Sequence, residues 1–239
     1  MGLIKLTDKE INFTPTRDSY IVCTTIENGE EVVRRVPVYA FEDILGSSYV
    51  PISIDSFTSS LTIAELGSTI TSPITLTYKC NKKPKSLKLD GNTVEVQGEN
   101  GSILLQGHSI SSNKTWNLVA TDDKEKTSSK SVSLSFVNRV YYGASTLPSS
   151  VNDTFLRGLS NVLSNSRSRK ITVNSTASTY IWYCYPARYG NATFKVGGFD
   201  GGFELYNTIN HTNSSGYSES YYVYKSDNSS LGNTVVEIS

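Results

Sequence analysis

The chain has 239 residues, with 22 lysines and arginines and 22 aspartates and glutamates, so its net charge is about zero. That balance lacks the basic surface of a nucleic-acid-binding protein, and no apolar run is long enough to insert into a membrane. Residues 1–5 lack the apolar stretch of a secretory signal, so we expect synthesis in a reducing cytoplasm.

The first 50 residues are predicted to form an N-terminal docking arm. Two extended segments, residues 19–26 and 31–38, flank the pair Asn28-Gly29. Both residues of that pair tolerate positive φ, which predicts the turn of a β-hairpin. The arm is too short to build a large core, so we expect it to pack on another domain or on a partner subunit.

Residues 51–138 alternate apolar and polar side chains with the period of two that is typical of strands. The apolar positions form three sets, Ile74, Leu76 and Tyr78, then Trp116, Leu118 and Ala120, then Val132, Leu134 and Phe136. Several short strands separated by turn signals predict a two-sheet, immunoglobulin-like β-sandwich. We expect Trp116 to fill the space between the sheets.

Residues 139–239 are predicted to form a β-rich domain that carries one helix, over residues 151–163. The apolar side chains at helical spacing in that helix are Phe155, Leu159 and either Val162 or Leu163. Strands are predicted at residues 170–173, 180–185, 192–199, 202–206, 217–224 and 234–238. The fold class is therefore mainly β, with a single short helix.

Two connections in this C-terminal region carry specific predictions. Asp200-Gly201 is typical of a hairpin turn. Such a turn would place Phe194 and Val196 opposite Phe203 and Leu205. Residues 207–216 are polar and lack an apolar anchor, so we expect an exposed loop there.

Nine of the 15 tyrosines lie between residues 180 and 224. Strand alternation places Tyr180, Trp182 and Cys184 on one side and Ile181, Tyr183 and Tyr185 on the other. Both sides are apolar and should be covered, one by the domain's own core and the other by the helix, a subunit or a ligand. Tyrosine beside serine and glycine makes adaptable contact surfaces, and aromatic rings stack on sugars. The predicted ligand or interface residues are Tyr183, Tyr185, Tyr217 and Tyr222.

The sequence nominates no catalytic residue, cofactor or metal site. His108 and His211 lie in different predicted domains without metal-ligand partners nearby, whereas zinc needs three or four ligands. No Gly-x-Ser-x-Gly elbow marks a nucleophile, although a Ser-His-Asp triad stays open. The acidic residues of turns, such as Asp122, are expected to be solvated. The three distant cysteines, Cys23, Cys80 and Cys184, predict buried reduced thiols.

Several motifs resemble those of tailed-bacteriophage structural proteins. Ile54-Asp55-Ser56-Phe57, Glu65-Leu66-Gly67-Ser68 and residues 86–91 resemble immunoglobulin-like domains of such proteins. A second group resembles a module attached to phage fibre, tail and head-appendage proteins: residues 180–185, Val196-Gly197-Gly198-Phe199, Gly216-Tyr217 and residues 221–226.

The resemblance implies a non-enzymatic virion structural protein, commonly oligomeric, in a tail, baseplate or head appendage. Its partners would be other virion proteins and further copies of the chain, and its place would be the virion. An alternative is a carbohydrate-binding host-attachment adhesin that recognises host-surface glycan. A third alternative, a polysaccharide depolymerase, would more often show the repeats of a parallel β-helix, which this chain lacks.

Overall fold

The computed structural model describes residues 20–27, 29–37 and 49–239 of the protein. These residues form 18 strands, one short α-helix and a 3-10 turn at Ala187–Tyr189. The mainly β class with one short helix, as predicted from the sequence, is therefore confirmed. The chain divides into two compact units, residues 1–51 and residues 52–239.

The described part of the first unit is a β-hairpin. Strands β1 (Tyr20–Glu27) and β2 (Glu30–Pro37) pair antiparallel, with Glu27 opposite Glu30. Gly29 has a φ of +86°, a conformation that glycine adopts at little cost. The predicted hairpin is thus confirmed, while Asn28, residues 1–19 and residues 38–48 lie outside the described residues.

The second unit begins with two sheets that share one apolar core. The first sheet contains β3 (Ile54–Ser59), β5 (Ile74–Cys80) and β8 (Asn100–Leu105). The second contains β6 (Ser86–Leu89), β7 (Asn92–Val94), β9 (Lys114–Thr121) and β10 (Thr127–Ser145), with β4 (Ile63–Glu65) parallel to β10. Trp116 lies in their shared core at 3% exposure, as predicted. The immunoglobulin-like assignment stays a prediction.

Strand β10 joins this core to a second one. It is 19 residues long, pairing with β9 over residues 127–134 and with β11 (Ser160–Ser164) over residues 138–142. Its last residues, 141–145, pair with β13 (Tyr180–Pro186). The domain boundary predicted between residues 138 and 139 falls inside β10, so the two cores share a strand.

Two sheets enclose the second core. One is the continuation of the nine-stranded sheet that contains β10, which extends through β13 and β17 (Ser218–Ser226) to its edge strand β16 (Phe203–Thr212). The other contains β12 (Arg169–Ser175), β18 (Gly232–Ile238), β14 (Phe194–Val196) and β15 (Phe199–Asp200). Between them lie Tyr183 and Tyr185, with Val236 and Ile238 from β18.

The helix, α1 (Asp153–Gly158), covers the opposite face of strand β13. Trp182 and Cys184 from β13 pack there with Leu156 and Phe155 from the helix. The predicted alternation of the two faces of β13 is confirmed, because Trp182 and Cys184 point away from Tyr183 and Tyr185.

The predicted helix over residues 151–163 is wrong in its extent. The Asn152 side chain accepts a hydrogen bond from the Phe155 backbone N–H at 3.0 Å, which fixes the helix start. Leu159 is already extended, with φ −83° and ψ 159°. The residues that follow form β11, because pairing with β10 satisfies their backbone groups.

The predicted turn at Asp200-Gly201 is also wrong. The hairpin turns at Gly197 and Gly198, which have φ of +58° and +91°, so that Val196 pairs with Phe199. Two successive residues with positive φ suit a two-residue hairpin turn. Phe194 and Phe203 belong to different sheets, yet their rings stack with centroids 4.4 Å apart across the core.

The predicted loop at residues 207–216 is wrong over most of its length, although most of these residues are exposed as predicted. Residues 207–212 belong to strand β16, and only residues 213–216 form the turn. His211 and Asn213 are buried, at 1% and 7% exposure. The polar character of this segment reflects buried hydrogen bonding as well as contact with water.

Candidate functional site

Tyr183 and Tyr185, two of the four predicted contact residues, lie inside the second core. Both are fully buried. The Tyr183 hydroxyl donates to the Arg167 carbonyl at 2.6 Å, and the Tyr185 hydroxyl donates to the Gly190 carbonyl at 3.0 Å. The four-stranded sheet covers the face that these rings occupy, so they do not reach a surface of the folded unit.

Tyr217 and Tyr222 are half-buried. The Tyr222 ring meets the Tyr185 ring edge-on, with centroids 6.1 Å apart. Tyr217 packs on the turn at Gly67, so closely that a Cβ on Gly67 would lie 2.7 Å from the Tyr217 Cβ. The role of both residues in ligand or subunit contact stays a prediction.

The aromatic run has a structural use that sequence reasoning missed. Tyr189 donates to the Ser164 carbonyl at 2.8 Å, and Tyr221 donates to the Arg139 carbonyl at 2.8 Å. The Trp182 Nε1–H donates to the Ser145 carbonyl at 3.1 Å. Each ring therefore packs in the core while its hydroxyl or indole N–H forms a hydrogen bond to the backbone of a neighbouring segment. Burial raises the pKa of Tyr183 to about 12, which keeps the hydroxyl a donor.

A chain of three polar side chains links helix α1, strand β16 and strand β10. His211 and Tyr141 are buried, and the Asp153 side chain is 33% exposed. Asp153 Oδ1 lies 2.7 Å from His211 Nδ1, and His211 Nε2 lies 3.0 Å from the Tyr141 hydroxyl. The Thr212 backbone N–H also donates to Asp153 Oδ1, at 3.1 Å. We call this set of side chains the Asp153–His211–Tyr141 chain.

The direction of each hydrogen bond follows from the charges. Burial acts to raise the pKa of Asp153, but hydrogen bonds from Thr212 and His211 hold it below its ordinary value, so the group is a carboxylate that can only accept. His211 Nδ1–H therefore donates. Burial lowers the pKa of His211, and the neutral ring accepts at Nε2 from the Tyr141 O–H.

This arrangement resembles the order of groups in a nucleophilic triad, yet it does not activate a nucleophile. A nucleophile is activated when a neighbouring base or charge lowers its pKa. Burial instead raises the pKa of Tyr141 to about 12, and Tyr141 is only 2% exposed. His211 Nε2 is engaged by tyrosine rather than by a serine. The Asp153–His211–Tyr141 chain therefore connects three elements by hydrogen bonds.

A polar cleft of about 190 Å³ opens beside Tyr141. Its lining residues come from β4, β10, α1, β11 and the turn before β17, and they are Glu65, Arg139, Tyr141, Arg157, Asn161 and Ser214. Because these residues are spread from position 65 to position 214, no local sequence motif predicts the cleft. The nearest sequence signals are the Glu65-Leu66-Gly67-Ser68 turn and the polar segment 207–216.

Both arginines of the cleft are held by neighbouring groups. Arg139 donates from Nε to Glu65 Oε1 at 3.0 Å and from Nη1 to Asn161 Oδ1 at 2.6 Å. Arg157 donates from Nη2 to the Thr212 carbonyl at 2.6 Å, and the same nitrogen lies 3.5 Å from Asp153 Oδ2. Each guanidinium is thereby oriented while keeping further N–H groups free to bind a ligand.

Three exposed apolar side chains lie on strands β15 and β16. Phe199 is 80% exposed, Leu205 46% and Tyr206 41%. Beside them Lys225 is buried, 4.4 Å from the centre of the Tyr180 ring and 2.9 Å from Glu204 Oε1. An aromatic face and a carboxylate together stabilise this buried lysine.

No group of metal-binding side chains is found among the described residues. Within the same residues, no helix is long and apolar enough to cross a membrane. Cys80 and Cys184 are buried free thiols, as predicted, and burial raises the pKa of both. Cys23 lies on β1, and the structure does not describe its side chain. Comparison with family models, with curated proteins and with solved structures gives no match to this chain.

Proposed function

We propose that the protein is a non-enzymatic structural protein of a tailed-bacteriophage particle, in a tail, baseplate or head appendage. Strand β10 carries the mechanical part of this proposal. Its 19 residues run through both cores of the second unit, so no separate linker joins the two cores. A rigid spacer of this kind suits a protein that holds other parts of a particle at a fixed separation.

The chemistry of the interior supports a role without catalysis. The buried aromatic side chains donate their polar hydrogens to backbone carbonyls, and His211 is satisfied at both ring nitrogens. Groups that are fully paired rigidify a core, and His211 has no ring nitrogen left to accept a proton from a substrate. Resemblance of the sequence to phage fibre and appendage modules supplies the biological setting of the proposal.

Contacts with other subunits would form through the N-terminal hairpin and through the C-terminal domain. Residues 1–50 would dock the protein onto the particle, and the hairpin there exposes Val22, Ile26 and Val33, each above 60%. In the C-terminal domain, Phe199 on strand β15 is 80% exposed. Covering one phenylalanine contributes roughly 1.5–3 kcal/mol, and cyclic symmetry would repeat that contribution at each interface.

Two measurements test this proposal. The first is identification of the protein in purified particles by mass spectrometry and by cryo-electron microscopy with a labelled chain. The second is sedimentation of the purified protein, comparing the wild type with Phe199→Ser and with Leu147→Ser, a matched change at a side chain that is 51% exposed.

We expect the protein in particles, and an oligomer that Phe199→Ser weakens while Leu147→Ser does not. A monomer that is absent from particles would refute the proposal. The alternative, a carbohydrate-binding adhesin, would use the polar cleft rather than Tyr217 and Tyr222, because those two rings are half covered. Release of sugar fragments from host polysaccharide would instead indicate a depolymerase.

A further inference from the structure

We propose that the polar cleft binds the acidic group, a carboxylate or a sulfate, of a small ligand through Arg139 and Arg157. The proposal does not depend on the structural role in a phage particle. It rests on two guanidinium groups from different elements that line one cleft of about 190 Å³.

The donors of both arginines are arranged before any ligand arrives. Arg139 is held from two sides by Glu65 and Asn161, and Arg157 is held by the Thr212 carbonyl. Among the described residues, no partner engages Nη2 of Arg139 or Nε and Nη1 of Arg157. Arginine presents its N–H groups in a planar fork that matches the paired oxygens of an oxyanion. Orientation before binding reduces the side-chain entropy that binding would otherwise cost.

The charge of the surroundings sets the expected strength of binding. Two carboxylates, Glu65 and Asp153, lie beside the two guanidinium charges, so the cleft is close to neutral before a ligand binds. Both carboxylates are occupied, Glu65 by Arg139 and Asp153 by His211 and Thr212. The remaining N–H groups of the two arginines would therefore bind the ligand, while the negative charges of Glu65 and Asp153 weaken the binding. We expect a dissociation constant near the millimolar range rather than a nanomolar one.

The size and neutral lining of the cleft restrict the ligand further. Its volume is below the ~300–1,000 Å³ of sites for drug-sized molecules, so only a small molecule or one residue of a polymer fits. Asn161 and Ser214 add an amide and a hydroxyl to the lining. These groups suit hydroxyls beside the acidic group, as in an acidic sugar.

The test uses the full chain labelled with ¹⁵N and follows the arginine Nε–Hε signals by NMR. The probes are sodium glucuronate, sodium sulfate and glucose at equal ionic strength. We expect glucuronate and sulfate to shift the Arg157 and Arg139 signals in a saturable manner, and glucose to leave them unchanged. Tighter binding of glucuronate would identify an acidic sugar, and equal binding would identify the oxyanion alone as the recognised group.

Variants separate this site from general attraction of anions. Arg157→Gln should raise the dissociation constant for glucuronate about tenfold or more, because charge-assisted hydrogen bonds are lost. The matched control is Arg188→Gln, whose guanidinium binds Glu219 outside the cleft. Glu65→Gln should act in the opposite direction and tighten binding, because it removes a competing negative charge while keeping an acceptor for Arg139.

Circular dichroism and a urea midpoint for each variant confirm that the fold is retained before binding is compared. The proposal is overturned if neither arginine signal responds to tens of millimolar glucuronate or sulfate. It is equally overturned if Arg188→Gln weakens binding as much as Arg157→Gln does, since the effect would then belong to overall charge.

Discussion

Removal of the Asp153 carboxylate should destabilise the protein well beyond the usual cost of a surface substitution. In Asp153→Ala, His211 Nδ1–H loses its acceptor at 2.7 Å, and the Thr212 N–H loses its acceptor at 3.1 Å. His211 is only 1% exposed and the Asp153 side chain is 33% exposed, so water replaces the first of these bonds only in part.

The magnitude follows from the two donors. A buried donor without a partner costs about 1–3 kcal/mol, and loss of a typical hydrogen bond costs about 0.5–1.5 kcal/mol. The pair between Asp153 and Arg157, at 3.5 Å and with Arg157 46% exposed, adds little. We therefore expect Asp153→Ala to lower the free energy of unfolding by about 2–4 kcal/mol, a large part of the ~5–15 kcal/mol of a typical protein.

Urea unfolding followed by tryptophan fluorescence measures this change, because Trp182 lies under the same helix. The matched control is Asp200→Ala, whose side chain is 84% exposed and pairs with Lys195 at 3.3 Å; we expect a change within about 0.5 kcal/mol. Asp153→Asn keeps an acceptor oxygen and should fall between the two. Equal stability of Asp153→Ala and Asp200→Ala would show that the Asp153–His211–Tyr141 chain does not stabilise the fold.

Three further outcomes follow from the structure. Burial lowers the pKa of His211 on folding, so the unfolded chain binds more protons than the folded one below about pH 6.5, and the free energy of unfolding falls there. The urea midpoint should therefore be lower at pH 5.5 than at pH 7.5, and His211→Gln should reduce this difference. Peptide mapping after iodoacetamide treatment should find Cys80 and Cys184 unmodified in the native protein and modified in urea, because burial raises both pKa values; labelling at equal rates in both states would contradict their burial. Gly67→Ala should lower stability more than Gly91→Ala, because both glycines have φ near +85° but only at Gly67, of these two, would a Cβ lie 2.7 Å from a neighbouring atom. Thermal denaturation compares the two variants, and equal losses of stability would mean that backbone strain alone accounts for the effect.

Local patterns predicted those features that depend on neighbouring residues alone. The inward positions Leu76 and Leu118 are fully buried, because strand geometry points alternate side chains to opposite faces. The turn at Asn28-Gly29 was predicted for a similar reason, since the conformations that a two-residue turn requires are set by its own residues. Alternation along residues 180–185 likewise separated the two faces of β13.

Other predictions were wrong because partners from elsewhere in the chain decided the outcome. Asp122 was expected to be a solvated turn residue, yet it is 2% exposed and accepts from the Ile52 N–H at 3.1 Å. The helix was expected to reach residue 163, yet its last turns are replaced by β11, which pairs with β10. In both places a backbone partner from a distant element outweighed the local pattern.

The sequence by itself determined the mainly β class, the faces of individual strands and the burial of two thiols. Only the tertiary structure decided which residues meet. His211 is 58 positions from Asp153 and 70 positions from Tyr141, and the two arginines of the cleft belong to β10 and α1. Those meetings depend on the register of paired strands and on the helix packed over them. Neither can be read from residues that are neighbours in the chain.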